Sequence, residues 1–368
     1  MDDDFKKLVY SAIIMIFFII MMFSYNFVNN NVSEINKLLI FMLAVTIGTV
    51  YLNYRKNNKK INLAKNTTPE FEQIYKELYS ENISFLENKR KKVKYNSFVY
   101  VIAFLVILTG MWFRNLLLCL IGVVCFIVSL VSSKKGEKDY KLTYKRNIIN
   151  RFIKTVNNKL EYNSEVWDLS TLREEYKNAN FNNESFNTFY ADDYIYGQLD
   201  DKYYTQMSDL NIQRKEVHHH NGRRTETTIE IFKGIFSKTE CDKDIGTYIK
   251  ISKNQLKLFR NKDRVEMDSQ EFEKYFDIYS ENKILTMQIL TSDVMTTLID
   301  FYEKYKIDYE IVIRNNTIYM RFFTGAMFEP KVFGNSMDKK LLFSYFCILK
   351  FIVDVTKEIN KALKEVEI

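Results

Sequence analysis

Residues 97–133 read SFVYVIAFLVILTGMWFRNLLLCLIGVVCFIVSLVSS, with a single charge, Arg114, in the whole stretch. Arg114 and Asn115 divide it into two apolar runs, 97–113 and 115–133. A membrane-crossing helix needs about 20 mostly apolar residues, within a range of about 17–25. The second run meets that length, and the first meets it with its flanks. The competing reading is a pair of buried helices in a soluble protein. Such helices normally keep a polar stripe, and neither interior contains a charge. The stretch therefore predicts a transmembrane hairpin.

Upstream, 8–28 and 38–52 form a second apolar pair, interrupted near its first loop by Tyr25 and Asn26 and followed by Tyr51 and Tyr54 at the expected lipid–water boundary. A cleavable signal is disfavoured, because Asp2, Asp3 and Asp4 precede the first lysine and no small-x-small site follows. Orientation follows from Lys and Arg in short loops. Residues 54–96 hold eleven basic side chains, and 134–151 hold seven. The intervening connections hold none (29–36) and one (Arg114). The reading is four spans in the cell membrane, a multi-pass protein with both termini cytoplasmic and the lipid bilayer as its first partner. Cys119 and Cys125 fall in the last span, Cys241 and Cys347 lie far apart, and no CxxC occurs, which fits a reducing compartment.

Along the chain, the formal net charge of +7 divides unevenly. Residues 1–133 carry +6, 134–151 carry +5, and 152–368 carry −4. A nucleic-acid-binding domain is basic on its folded part, so no nucleic-acid partner is expected. The positive charge serves orientation in the bilayer.

Beyond the hairpin, Thr67-Thr68-Pro69-Glu70 opens a helix, with Thr67 as the expected cap. Phe71, Ile74, Tyr75, Leu78, Tyr79 and Leu86 recur at helical spacing, as do Leu142, Ile149, Phe152, Ile153, Val156 and Leu160 after the last span. Two helices entering and leaving one hairpin are expected to pack antiparallel as a stalk. From about residue 185 the texture turns to strands: 194–199, 203–212, 225–236, 247–251, 275–279, 284–290, 309–314 and 317–323. Asn221-Gly222 signals a tight hairpin whose polar tip is 214–224. Helices are expected at 292–304 and 339–366. Strands with interspersed helices and no βαβ rhythm predict an α+β domain with a largely antiparallel sheet. The segments are 1–54 (first hairpin), 55–96 (basic loop and helix), 97–133 (second hairpin), 134–165 (juxtamembrane helix) and 166–368 (cytoplasmic α+β domain).

Five short motifs occur in order: Tyr190-Ala-Asp-Asp-Tyr-Ile-Tyr-Gly197, Phe232-Lys-Gly-Ile-Phe236, Met267-Asp-Ser-Gln-Glu-Phe-Glu-Lys-Tyr-Phe276, Thr317-Ile-Tyr-Met-Arg-Phe322 and Phe328-Glu-Pro330. The set resembles the bacterial domain-of-unknown-function 3137 family of uncharacterised membrane proteins, over roughly residues 70–330. The resemblance implies membrane association and supplies no catalytic residue. The hairpin at 8–54 is additional to the family's plan, and Thr291-Ser292 stands where Thr-Pro is expected.

Candidate chemistry is sparse. His218, His219 and His220 are all the histidines of the chain. Consecutive strand residues face opposite ways, so an exposed loop is the preferred reading over a zinc site completed by Glu216 and Glu226. Asp192 and Asp193 with Asp200 and Asp201 form an acidic group that could hold a divalent cation or do acid–base work; turn closure is the plainer role. Phosphate loops, GxSxG and HExxH are absent. The reading is therefore non-catalytic, with no catalytic, cofactor-binding or metal residues assigned and no cofactor. A cytoplasmic domain that binds a protein partner or ligand, as a scaffold or sensor, is expected. The alternative is a transporter or channel component formed by the two hairpins, with Tyr25 and Asn26 as its polar residues.

Overall fold

The computed structural model describes residues 67–366 except 183, 200–201, 221–222, 255–262 and 333–334. The first hairpin at 8–54, with Tyr25 and Asn26, lies outside the described residues, as do Asp200, Asp201 and the Asn221-Gly222 turn.

Helix α1 runs unbroken over Pro69–Trp112. Its cap is Thr68, whose hydroxyl accepts from the Phe71 N–H at 3.3 Å, one residue later than the expected Thr67. Proline at the first helical position fixes the cap at the residue before it, and Thr67 instead donates to Glu72. Arg114, in the left-handed region at φ 51°, turns the chain, and Asn115 caps the return helix by accepting from the Leu118 N–H at 3.1 Å. Helix α2, Leu116–Val156, is continuous apart from a π-helical turn at Lys145–Ile149. Leu160, read from sequence as the last residue of its stripe, instead opens strand β1, because the helix ends at Val156.

These two helices are long and apolar enough to cross a membrane. They pack antiparallel, and glycine permits their closeness: a Cβ on Gly122 would stand 2.7 Å from Ile107 Cγ1. Along the apolar segment Leu116, Leu117, Val128 and Val131 point outward and are exposed, the arrangement a lipid-facing surface requires. Beyond it most of the stripes read from sequence turn inward, but Leu142 and Tyr79 are exposed, and Tyr140, Tyr144 and Ile148 take places on the buried face that were not read. Phe71, Ile74, Leu78 and Leu86 of α1 and Tyr140, Tyr144, Ile148, Ile149, Phe152 and Ile153 of α2 are buried. Each large apolar side chain removed from water there contributes about 1.5–3 kcal/mol.

The rest of the chain is a sheet with helices on both faces. Strand β1 is Leu160–Asn163, helix α3 Leu169–Ala179, β2 Thr188–Leu199, β3 Tyr203–His220, β4 Arg223–Glu240 and β5 Tyr248–Lys253. Then come β6 Arg264–Val265, α4 Gln270–Tyr275, β7 Phe276–Ser280, α5 Lys283–Ile289, α6 Ser292–Tyr305, β8 Tyr309–Arg314, β9 Thr317–Phe322 and α7 Lys339–Glu365. Among the described residues the strands form one sheet in the order β1-β2-β3-β4-β9-β8-β5-β7-β6, every pairing antiparallel. The fold is α+β, as the pattern predicted.

Helix α3 covers one face, burying Leu172, Tyr176 and Ala179 against Leu210, Ile212, Phe232, Phe236, Val312 and Tyr319. Helices α6 and α7 cover the other: Phe301 stacks on Phe351 at 3.9 Å, and both meet Tyr309 and Phe322. The start of α1 also joins this layer, with Phe71 5.0 Å from Phe343 and 5.6 Å from Phe346, and Tyr75 donating to the Met337 carbonyl at 2.9 Å.

Two expectations are corrected. Where a strand was read at 284–290, Lys283–Ile289 form helix α5 and Leu290 caps it. Asn282 accepts from the Leu285 N–H at 3.1 Å and Thr286 donates back to the Asn282 carbonyl at 2.7 Å, a local cap that outweighs the β-like composition. Ile284 is exposed while Leu285 and Ile289 are buried, as helical spacing requires. The expected polar tip at 214–224 is instead paired ribbon, continuing the β3–β4 ladder to His220 opposite Arg223. Thr291 caps α6, so Ser292 takes the first helical position, where a proline would also fit.

Candidate functional site

The helix leaving the apolar segment carries an inward-facing lysine. Lys145 lies three and four residues before Ile148 and Ile149, on the stripe that α2 buries, and the π turn lets all three face inward. Only 5% of Lys145 is exposed. A buried ammonium needs partners, and three carboxylates supply them. Its Nζ lies 2.7 Å from Asp192 Oδ2, 2.8 Å from Asp193 Oδ2 and 3.1 Å from Glu329 Oε1.

Strand β2 aims those aspartates by a bulge. The ladder to β3 shifts between Asp192 and Ile195, and Asp193 takes the left-handed conformation at φ 56°, which aspartate tolerates better than most residues. The Asp193 N–H donates to Asp192 Oδ1 at 3.0 Å, and Ser208 Oγ donates to the Asp192 carbonyl at 2.8 Å. The extra residue turns the Asp193 side chain inward, where it is 1% exposed and accepts from the Tyr162 hydroxyl of β1. One helical turn before Lys145, Lys141 lies 3.1 Å from the other Glu329 oxygen.

The segment carrying Glu329 is itself pinned. The Met327 N–H donates to Asp209 of β3 at 2.7 Å, and the Phe328 N–H donates to the buried Tyr345 hydroxyl of α7 at 2.8 Å. One lysine therefore ties the membrane-proximal helix to a strand bulge and to a loop held by β3 and α7. Burial pushes the Asp193 carboxyl up to about 7 against the opposing pull of Lys145, with Asp192 adding to the rise. Burial likewise lifts Asp209 well above the usual carboxylate range. For Lys145 burial works downward, but Asp193, Asp192 and Glu329 outweigh it and raise its pKa.

Asp192, Asp193 and Glu329 each offer an oxygen within 4.8 Å of the others, a spacing that could hold a metal ion. Lys145 reaches all three carboxylates, so a protein cation already bridges them. The arrangement is a salt-bridged joint between helix and sheet. A second buried ion network lies under α3. Arg321 of β9 lies 2.7 Å from its cross-strand partner Glu310 and 3.3 Å from Glu184, donates to Tyr176 at 2.7 Å, and packs against Phe181, Phe232 and Phe323.

Of the residues singled out from sequence, Asp192 and Asp193 come together at the joint, within a strand bulge rather than a turn. His218 sits in the exposed β3–β4 ribbon, 3.6 Å from Glu216, and Glu226 lies 4.0 Å from Lys215; the side chains of His219 and His220 are outside the described residues. Sequence reading missed Lys145, Glu329, Tyr162 and Arg321. Lys145 was counted among the orienting charges of 134–151, although its place on the Ile148–Ile149 stripe was a usable signal.

The fold and joint define a class: an antiparallel α+β domain fused, through continuous helices, to an apolar helical hairpin. Residues 230–361 match the family model described as "Protein of unknown function (DUF3137)", which supports the resemblance read from the motifs. The match runs from within β4 to near the end of α7. It takes in four of the five motifs and leaves Tyr190–Gly197, with Asp192 and Asp193, outside it. No curated protein matches the chain. Among solved structures, the mycobacterial trehalose monomycolate transport factor A, TtfA, is similar at 9% identity with a TM-score of 0.25, over 43% of this chain and 75% of that one. A likeness at that level defines neither fold nor function.

Proposed function

We propose that this is a multi-pass bacterial cell-membrane protein with four spans and both termini in the cytoplasm. Its cytoplasmic α+β domain binds a protein partner or ligand as a scaffold or sensor and performs no catalysis. The observation that carries this reading is the Lys145 joint, because it fixes the sheet to the same helix that contains the apolar segment. A domain attached in that way holds a defined pose at the membrane and passes a change at the sheet to the hairpin. A flexible tether would do neither.

Cross-linking in native membranes tests the partner, and labelling of single introduced cysteines by a membrane-impermeant maleimide tests the topology. The reading predicts labelling in intact cells at 29–36 and at 114, none at 134–151 or on β3, and a reproducible cross-linked partner. Labelling of β3 in intact cells would overturn it.

A further inference from the structure

Three aromatic rings gather at one exposed corner of the sheet, away from the joint's buried groups. Trp167, in the link between β1 and α3, is 64% exposed. It stands at 81° to Tyr196 with ring centroids 5.0 Å apart, and at 62° to Tyr194 at 5.9 Å. Tyr194 and Tyr196 are two residues apart on β2, share a face, and stack at 5.4 Å. Tyr204 of β3, 37% exposed, lies diagonally across the ladder from Tyr196. Buried core rings need no such exposure, and an exposed tryptophan packed edge-on against two tyrosines presents π-faces in more than one direction.

Carboxylates lie close to these rings in the fold and along the chain. Glu161 accepts from the Tyr196 hydroxyl at 2.6 Å. Hydrogen bonds from Thr171 and Ser170 pull the Asp168 carboxyl down to about 2, keeping it ionised next to Trp167. Glu165 is exposed two residues before the tryptophan. Two lysines on neighbouring strands and turns are engaged elsewhere, Lys238 with Glu175 at 2.6 Å and Lys202 with Asp242 at 2.5 Å. Perpendicular aromatic faces beside carboxylates are the arrangement that attracts an organic cation.

We infer that the corner formed by Trp167, Tyr194 and Tyr196, with Glu161 and Asp168, is a docking site for a lysine- or arginine-bearing segment of a protein partner. This deepens the partner-binding reading above and rests on it. The cationic head lies against the rings while the carboxylates complement its charge, and the segment's remaining residues run along the exposed side of β1 and β2.

The full chain in dodecylmaltoside micelles, with Trp112→Phe so that Trp167 alone reports, is titrated with capped octapeptides of alternating Lys and Gly or of alternating Glu and Gly. The expected result is a saturable change in Trp167 emission with the Lys peptide and none with the Glu peptide. Affinity for a dye-labelled Lys peptide, read by anisotropy, falls about tenfold in Trp167→Ala and about threefold in Glu161→Gln. Trp167→Phe retains most of it, and circular dichroism of all variants matches the parent. Equal binding of the Glu peptide, or unchanged affinity in Trp167→Ala, overturns the inference. So does a Trp167 response to tetramethylammonium without one to the Lys peptide, which would make the corner a quaternary-headgroup site. A cross-linked partner whose contacts avoid Trp167 also overturns it and leaves the scaffold reading standing. Peptide binding at the corner with no partner captured in membranes counts against the scaffold reading alone.

Discussion

Arg321 and Lys145 are each buried against more than one carboxylate, and the two are built differently. Arg321 is clamped within the sheet layer: its partner Glu310 sits directly across the β8–β9 ladder, Tyr176 accepts from it, and three phenylalanines flank it. Lys145 links three separate pieces, α2, the β2 bulge and the 327–329 segment, through one ammonium shared by three acids. A guanidinium is a fixed planar fork, whereas an ammonium is a compact charge that accepts partners from several directions. The first suits a static staple. The second suits a joint whose charge balance changes with one proton.

The largest expected effect breaks the staple. Arg321→Ala leaves Glu310 and Glu184 without their buried cation and should cost about 3–5 kcal/mol in denaturant unfolding of the micelle-bound chain. Lys145→Met strands three acids, but Asp193 already holds its proton up to about 7. The cost should be smaller than for Arg321, about 2–3 kcal/mol at pH 8, because Asp192 and Glu329 are partly exposed to water, and should shrink at pH 5.5, where Asp193 is protonated. An equal loss at both pH values would erase the contrast between staple and joint.

The third prediction isolates the proton. Folded Asp193 has its carboxyl raised from 3.8 to about 7, so the folded state binds more protons than the unfolded state between those values. Its stabilising contribution is complete below pH about 4 and is lost as pH rises through about 7. Stability should drop by about 2 kcal/mol between pH 5 and pH 7 from this group, and Asp193→Asn should flatten that slope in unfolding followed by circular dichroism. A slope unchanged in Asp193→Asn would refute the assignment. The smallest effect belongs to Tyr162→Phe, which removes one hydrogen bond to Asp193 and should cost about 1 kcal/mol.

Much of this architecture was legible because it is periodic. The apolar stretch 97–133, the paired stripes of Phe71–Leu86 and Ile149–Ile153, and the alternating strands of the sheet each repeat a local rule. The α5 helix was not legible, since its Ile-Leu-Thr-Met-Gln-Ile composition suits a strand and only the Asn282 cap decides otherwise. The candidate site was half legible. Asp192 and Asp193 attract notice as a pair, but their partners lie 47 and 48 positions earlier, at Lys145, and well over a hundred later, at Glu329. A lysine among six other basic residues after a membrane segment reads as an orienting charge. That Lys145 turns inward depends on one π turn and one strand bulge, neither of which leaves a mark in composition. The Trp167 corner was not singled out from sequence, because ring content alone does not distinguish a covered face from an open one.

The central claim is that the apolar hairpin's helix and the sheet are one body joined at Lys145. Pulsed electron paramagnetic resonance between spin labels at Lys138 on α2 and Gln198 on β2, both exposed, measures this in lipid nanodiscs. A single narrow distance distribution at pH 6, broadened by Lys145→Met, is the predicted result; a broad distribution in the unaltered protein, indifferent to that substitution, would contradict it.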